Sequence, residues 1–386
     1  MNYSLNLTSL LYDVITYSTI IILLYYLFKR KIISINDFIL LSLFCVTPFF
    51  FNNILFDWTQ FPDQAKYSRG ANNFRNGDIL TNLKQPLFQY SYQQSTNSSV
   101  YVSSLLFALF PVISFTSINT VAFINKLLVV YLFIFFKDKK VSKFFLYSLI
   151  FFPSIIIYSS LSLRDLGVVF IMLMFSYRVL KGDFDLITLL LLVILFLIKS
   201  QNAVALIVIL AVFKIFFEHK NYTLSIIITL AGLLFLTIYG NQILEQLNNY
   251  RYGFYSEYNG YDEILNIFYN IDRELTWSLN TIYLSFFQYL QTFLYPLTDD
   301  LNPIKAIFFI DNILFSILFF LNCLVLYKKN KQYVIFWFVT YIVINTLVSL
   351  ISINEMTLLR YKMPWVMFFI FCLTYTCNNK KIKPKI

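Results

Sequence analysis

Apolar runs of about 20 residues, interrupted by short charged clusters, follow one another along most of this chain. A hydrocarbon core about 30 Å thick takes roughly 20 residues of helix, so cutting at the charges predicts membrane-spanning helices. Eleven spans result: 7–28, 38–55, 118–136, 143–158, 166–180, 184–199, 203–217, 222–240, 304–327, 332–352 and 363–377. The pattern therefore predicts an all-α polytopic membrane protein with a single integral membrane domain over 1–386. Segment 100–117 is apolar but short for a crossing, and it reads as a re-entrant or interfacial helix. The first apolar stretch lacks a basic leader, its basic cluster Lys29, Arg30 and Lys31 coming after it, so it reads as a retained span.

Composition agrees with this. Hydrophobic residues make up 59% of the chain and charged residues 13%, outside the range of a soluble domain. Charge then orients it. Putting Lys29, Arg30 and Lys31 inside, by the positive-inside rule, places the amino terminus outside and the carboxyl terminus inside. In that register the clusters 29–31, 137–143, 178–181, 328–331 and 380–385 all fall inside, together with most of the 30 basic residues. The net charge of +10 is thus a topology signal, and it argues against a nucleic-acid partner.

Two outside loops are far longer than the rest, 56–117 (including the interfacial helix) and 241–303, whereas the inside connections are short. That asymmetry puts the protein's work on the outer face. Chemistry there rests on carboxylates, arginines, lysines and tyrosines. The single histidine, His219, falls at an inside helix end, and the four cysteines form no metal-ligand or disulfide spacing.

In the first loop Pro62 suits a first helical position, and Asp63, Lys66 or Tyr67, and Gly70 recur at helical spacing. They predict a polar face, with Phe61, Ala65, Ala71 and Phe74 turned toward lipid. The structural reading is an interfacial helix with a salt-bridged face. The functional one makes Asp63, or Asp57 before it, a general base beside Lys66 and Arg69. Arg164-Asp165, between two apolar helices, is either a local ion pair or an anion clamp. Lys199-Ser-Gln-Asn is a polar knot in an apolar hairpin. Lys126 lies inside the third span and Asp311 in the ninth, so each ionisable group is a functional candidate, and a direct pair is one solution. Arg251 to Trp277, with Arg273 among acids and tyrosines, reads as a sugar-binding surface or an interface belt. Arg360 and Lys362 sit before the last helix as a second phosphate contact.

These residues carry a family resemblance. Phe61 to Phe74, with Pro62-Asp63, Tyr67 and Ala71, resembles the first outside loop of GT-C-type membrane glycosyltransferases. Pro153 to Asp165 (PSIIIYSSLSLRD), Lys199-Ser200-Gln201 and Arg360-Tyr-Lys-Met-Pro resemble elements of bacterial Wzy-type oligosaccharide repeat-unit polymerases. The resemblance implies an inner-membrane enzyme that transfers a growing glycan from undecaprenyl pyrophosphate to a new lipid-linked repeat unit at the outer face. It implies no cofactor and no obligatory metal, and it implies a flippase and a chain-length regulator as partners. By the same carry-over Asp63 is the loop carboxylate, and Arg164, Lys199 and Arg360 are pyrophosphate ligands. A transferase using a polyprenyl-phosphate sugar, a lipid-linked oligosaccharide flippase and an O-antigen ligase are the alternatives.

Overall fold

A computed structural model describes residues 7–52, 63–76, 92–218 apart from 113 and 116, scattered positions between 223 and 249, 303–351 and 355–378. Among these residues the protein is all-helical, with no strand. Five helical stretches are long and apolar enough to cross a membrane: Leu7–Lys29, Asn119–Asp138, Leu186–Phe217, Phe309–Tyr327 and Lys331–Val348. Leucine, isoleucine and valine side chains cover their exposed faces, an arrangement consistent with a membrane protein. Helix packing divides the chain into two compact units, Met1–Ala205 and Leu206–Ile386.

The first unit begins with α1 (Leu7–Lys29) and α2 (Ile35–Phe50). Ser34 and Asp37 form a capping box at the start of α2, where Asp37 N donates to Ser34 Oγ at 3.2 Å and Ser34 N to Asp37 Oδ2 at 2.8 Å. Next come α3 (Asp63–Arg75), α4 (Tyr92–Ala108) and α5 (Asn119–Asp138). The expected span 143–158 is a broken one, α6 (Lys143–Phe151) and α7 (Pro153–Ser160), bent by 51°. Phe152 is extended because the ring of Pro153 excludes helical backbone before it. A short loop leads to α8 (Asp165–Lys181), which Gly182 ends in the left-handed region at φ 91°, the amides of Gly182 and Asp183 donating to the carbonyls of Val179 (3.0 Å) and Arg178 (2.9 Å).

The first unit has two chemically distinct ends. At one, Lys137 in the last turn of α5 hydrogen-bonds to Asp37, and Phe135 packs edge-on against Tyr177 near the end of α8, centroids 5.2 Å apart. Arg178 Nε donates to Thr188 at the start of the next helix, at 2.9 Å. The basic clusters 29–31, 137–143 and 178–181 therefore share one end, as their sorting in the sequence anticipates. The starts of α3, α5 and α8 and the ends of α2 and α7 meet at the other.

The expected polar knot takes the form of a single-residue break. In α9 (Leu186–Phe213) Lys199 alone leaves helical geometry, at φ −154° and ψ 79°, and a π-helical turn, Lys214–Glu218, follows. The Lys199 ammonium stands 3.8 Å from Asp165 at the first turn of α8, whereas Asn202 donates to the sulfur of Met172, two turns along α8, at 3.5 Å. The chain thus folds back at Lys199, since a straight continuation would carry Asn202 past the start of α8.

Two expectations for the outer segments change. Helix α3 does start at Asp63, but Tyr67 is buried against Phe107 rather than on a polar face. Ala65, Ala71 and Phe74, expected to face lipid, are covered by protein, Phe74 packing on Tyr101 of α4 at 4.6 Å. Of segment 100–117, residues 100–108 form the second half of α4, and the helix stops at Ala108. Arg75 holds the chain there, donating to the carbonyls of Ala108, Phe110 and Val112.

The second unit contains α10 (Pro303–Tyr327), α11 (Lys331–Ile351) and α12 (Glu355–Asn378). Trp337, wholly buried, stacks on Phe213 at 4.9 Å and donates from Nε1 to Thr376 Oγ1 at 3.0 Å. The final helix begins at Glu355, well before the expected 363, so Arg360 and Lys362 lie within it.

Candidate functional site

The loop Ser159 to Asp165 is buried throughout, Arg164 only half so. Irregular backbone at such depth has to be satisfied by neighbours, because no water competes for its carbonyls and amides. Side chains from the surrounding helices do this. Asn125 of α5 donates from Nδ2 to the carbonyls of both Leu161 (2.9 Å) and Leu163 (2.8 Å). Asn52, just past α2, donates to the carbonyl of Ser160 at 2.9 Å and to Asn119 Oδ1 at 2.8 Å. Gln64 of α3 accepts from the amide of Ser162 at 2.8 Å, and the Ser162 hydroxyl donates to the carbonyl of Ile118.

The charged residues divide around this loop. Arg164 reaches Ser99 on α4 through Nη1, while Asp165 faces Lys199 across the start of α9, so the two neighbours in sequence serve different partners. Asp165 is 1% and Lys199 8% exposed at the side chain, a buried ion pair. Lys126 is sealed from solvent. Its amine lies 2.6 Å from Ser159 Oγ and 3.4 Å from the carbonyl of Ile156, with the Phe44 ring 3.7 Å away. The Lys126 amine donates at the carbonyl end of α7, where the helix dipole favours a donor, and so braces the loop from below. Asp63 and Lys66 pair at 3.0 Å on the open side of α3, and Arg69 is exposed there. Asp57, Arg273 and the aromatic loop around Arg273 lie outside the described residues.

In the second unit Lys362 is buried and donates to Asn312 Oδ1, with Asp311 in electrostatic reach. Arg360 is half-buried one turn before Pro364, which has no N–H for the Arg360 carbonyl.

Two acidic features escaped the sequence reading. Asp13, two turns into α1, is buried and accepts from Ser117 Oγ (2.7 Å) and Asn119 Nδ2 (2.9 Å), which links α1 through Asn119 and Asn52 to the loop. Its only signal is a lone acid in an apolar run. Asp183 and Asp185 have the D-x-D spacing of some metal-binding transferases but stand at the basic end. There Asp183 pairs with Lys181 at 2.8 Å, and Asp185 takes the Thr188 amide at 3.0 Å and the Arg178 guanidinium. No cluster of three metal-ligating His, Cys, Asp or Glu side chains occurs among the described residues. The chain matches no family model, no curated protein and no solved structure.

Proposed function

We propose that the protein polymerises undecaprenyl-pyrophosphate-linked oligosaccharide repeat units into a surface polysaccharide, at the outer face of a bacterial inner membrane. The proposal includes the eleven crossings, with the amino terminus outside, the carboxyl terminus inside and the polar end of the first unit facing out. The reversal at Lys199 supports counting Leu186–Phe217 as two crossings.

One observation carries the reading. Arg164, Lys199 and the helix bearing Asp63 all meet the buried 159–165 loop, at the end of the unit opposite the basic clusters. Breaking a sugar–pyrophosphate bond builds negative charge on the departing diphosphate, which guanidinium and ammonium groups fixed in a dry site stabilise as it forms. In this mechanism Arg164 binds the diphosphate bidentately, and Lys199, drawn partly from Asp165, adds a second charge. Asp63 takes the proton of the acceptor hydroxyl once substrate loosens its pairing with Lys66.

The test is surface-polysaccharide length in a deletion strain. Complementation with Arg164→Ala should leave single repeat units capping the acceptor, and Asp63→Asn should do the same with the protein still inserted. Long polymer from the Arg164→Ala strain sinks the assignment. Untranslocated lipid-linked units would mean a flippase instead, and finished polymer left on its carrier would mean a ligase.

A further inference from the structure

The one acid of α1, Asp13, is 3% exposed and turns its carboxylate to a single short segment, Ser117 to Asn119. Its Oδ2 accepts from Ser117 Oγ at 2.7 Å and from Asn119 Nδ2 at 2.9 Å, so it grips both neighbours of Ile118. The Ile118 carbonyl in turn accepts from the Ser162 hydroxyl. Asn119 continues the connection on its other side. There its Oδ1 accepts from Asn52 Nδ2 at 2.8 Å, and the same Asn52 nitrogen donates to the carbonyl of Ser160 at 2.9 Å. A carboxylate on α1 is thereby joined to the 159–165 loop at both Ser160 and Ser162, through residues that are themselves buried.

The order of donors and acceptors along this path is not free. An ionised carboxylate only accepts, whereas an asparagine presents either its oxygen or its NH2 to a given neighbour. Because Asp13 takes Asn119 by its NH2, the Asn119 oxygen faces Asn52, and Asn52 has to meet it with an NH2 of its own. The second proton of that NH2 goes to the Ser160 carbonyl, an acceptor, which closes the path. With an acceptor at each end, both amides are held in one orientation, and turning either of them breaks bonds on both its sides. An apolar side chain in place of Asp13 would leave the Asn119 NH2 buried without its acceptor and release the path from α1. Among the described residues Asp13 Oδ1 accepts no hydrogen bond, so the path uses a single oxygen of the carboxylate.

We infer that Asp13 is a positioning residue: it acts through Asn119 and Asn52 on the Ser160 carbonyl, and through Ile118 on Ser162, and so fixes where the loop delivers Arg164 to the substrate. This rests on the polymerase reading in one respect, that Arg164 is a ligand of the pyrophosphate. Asn125 ties the carbonyls of Leu161 and Leu163 from α5, and the Asp13 path ties the residues alternating with them. Thr47 of α2 meets the Ser160 hydroxyl at 2.6 Å, and Gln64 of α3 takes the Ser162 amide. Loss of the path leaves the loop tied to α2, α3 and α5 and released from α1, a loosening confined to the residues just before Arg164.

The test uses the full chain in phosphatidylcholine nanodiscs, with two readouts: hydrogen exchange of amides 160–164 and binding of geranylgeranyl pyrophosphate. Asp13→Leu keeps the volume and removes the acceptor. It should quicken exchange in the loop about tenfold, leave amides 166–181 as in the parent and weaken binding about tenfold, the equivalent of one hydrogen bond to a charged group. Asp13→Asn keeps an oxygen for Ser117 and Asn119 and places its NH2 where Oδ1 accepts nothing, so both readouts should return to within about threefold of the parent. The exchanged variant Asp13→Asn/Asn119→Asp moves the acceptor one step along the path, where it takes an NH2 from either side, and it too should stay within about threefold. It is judged against the parent alone, so it decides the matter even if Asp13→Leu does not fold. A loop unchanged in Asp13→Leu shows Asp13 to be a filler and overturns the inference. Equal effects of Asp13→Leu and Asp13→Asn assign the role to charge instead of hydrogen-bond direction and overturn it as well, as does an exchanged variant with a loosened loop. A loosened loop that still binds the probe as the parent does leaves Asp13 structural and overturns the positioning role. A parent that binds no geranylgeranyl pyrophosphate sinks the polymerase reading and not the anchoring of the loop, which its exchange pattern supports by itself.

Discussion

The two ends of the first unit treat charge in opposite ways. At the basic end most pairs are local and wet, the Lys137–Asp37 pair between α5 and α2 apart: the Lys139–Asp138 side chains are 40% and 69% exposed, those of Lys181–Asp183 52% and 33%. Beneath the open side of α3, around the loop itself, the charges are few and dry, with Asp165 at 1%, Asp13 at 3% and Lys126 fully covered. Exposed pairs are screened and exchange freely with water, so they mark a surface without defining one conformation. Buried ones are satisfied only in one arrangement of helices, so they tie function to packing. On the proposed topology and function, the same residue types thus orient the chain at one end and shape a site at the other.

The contrast is broken most severely at Asp165 and Lys199. Either Asp165→Asn or Lys199→Met alone should destabilise the protein by about 3–5 kcal/mol, since a buried charge is left facing a neutral group. The double variant Asp165→Asn/Lys199→Met should recover most of that loss, which unfolding in detergent micelles measures. A loss in the double variant equal to the sum of the two single losses would mean that the pair is not coupled.

Gly70→Ala comes next. Its new Cβ would sit 2.3 Å from Ser104 Oγ and 2.7 Å from Ser104 Cβ, too close for a rotamer change to relieve, so α3 and α4 have to part. Overpacking of this kind costs about 1–3 kcal/mol, and it should open the seam over the loop without touching the basic end. Hydrogen exchange of amides 92–108 should quicken while that of 166–181 stays as in the parent.

Much of this layout is legible in the sequence, for identifiable reasons. Apolar runs mark α1, α5, α9, α10 and α11 because lipid selects bulk hydropathy, and Pro62 marks the start of α3 because proline suits a first helical turn. Lys199 marks a reversal because an apolar hairpin needs a polar corner. The buried face of α3 is not legible, since Gln64, Ala65, Ser68 and Ala71 are small or polar and hydropathy scores them as surface. Their burial is decided by the close approach of α4 and by the Ser162 amide, which are tertiary facts. Pro153 was in plain view, yet run length alone hid the bend it causes. Asp13 was hidden in the same way, as one acid among many apolar residues.

Acid separates the ends more gently. Burial pushes the Asp37 carboxyl up, but the hydrogen bonds from Lys137 and from the Ser34 side chain and amide outweigh it and hold it below its ordinary 3.8. A depressed carboxyl contributes stability that is complete above its unfolded value and disappears as pH falls through the folded one. The contribution should therefore be constant at neutral pH, begin to fall below about pH 4 and be gone once the pH is below the folded value. Asp37→Asn should flatten the acid limb of a melting-temperature profile and leave the neutral plateau only slightly lower; an acid limb unchanged by the substitution would show that Lys137 does not hold Asp37.

The smallest effect is expected where the sequence is most conspicuous. Asp138 and Lys139 form a pair between adjacent residues just past α5, at 2.7 Å, and the Asp138 carboxylate raises the Lys139 amine above its ordinary value. A raised lysine contributes below its unfolded value and loses that contribution only as pH rises through the folded one, far above neutral pH. Both side chains are open to solvent, and ions screen them within about 10 Å at 0.1 M salt. Lys139→Ala should therefore leave the melting temperature unchanged at physiological salt. What it removes is one positive charge from the end that orients the chain, so its effect belongs to insertion rather than folding. Combined with Lys137→Ala and Lys140→Ala, it should raise the fraction of chains in which a reporter after residue 141 is found on the opposite side, without lowering the melting temperature as far as Asp165→Asn does. If the triple variant instead melts early while its reporter stays in place, the basic end holds the fold together just as the loop end does, and the division between orienting and shaping charges fails.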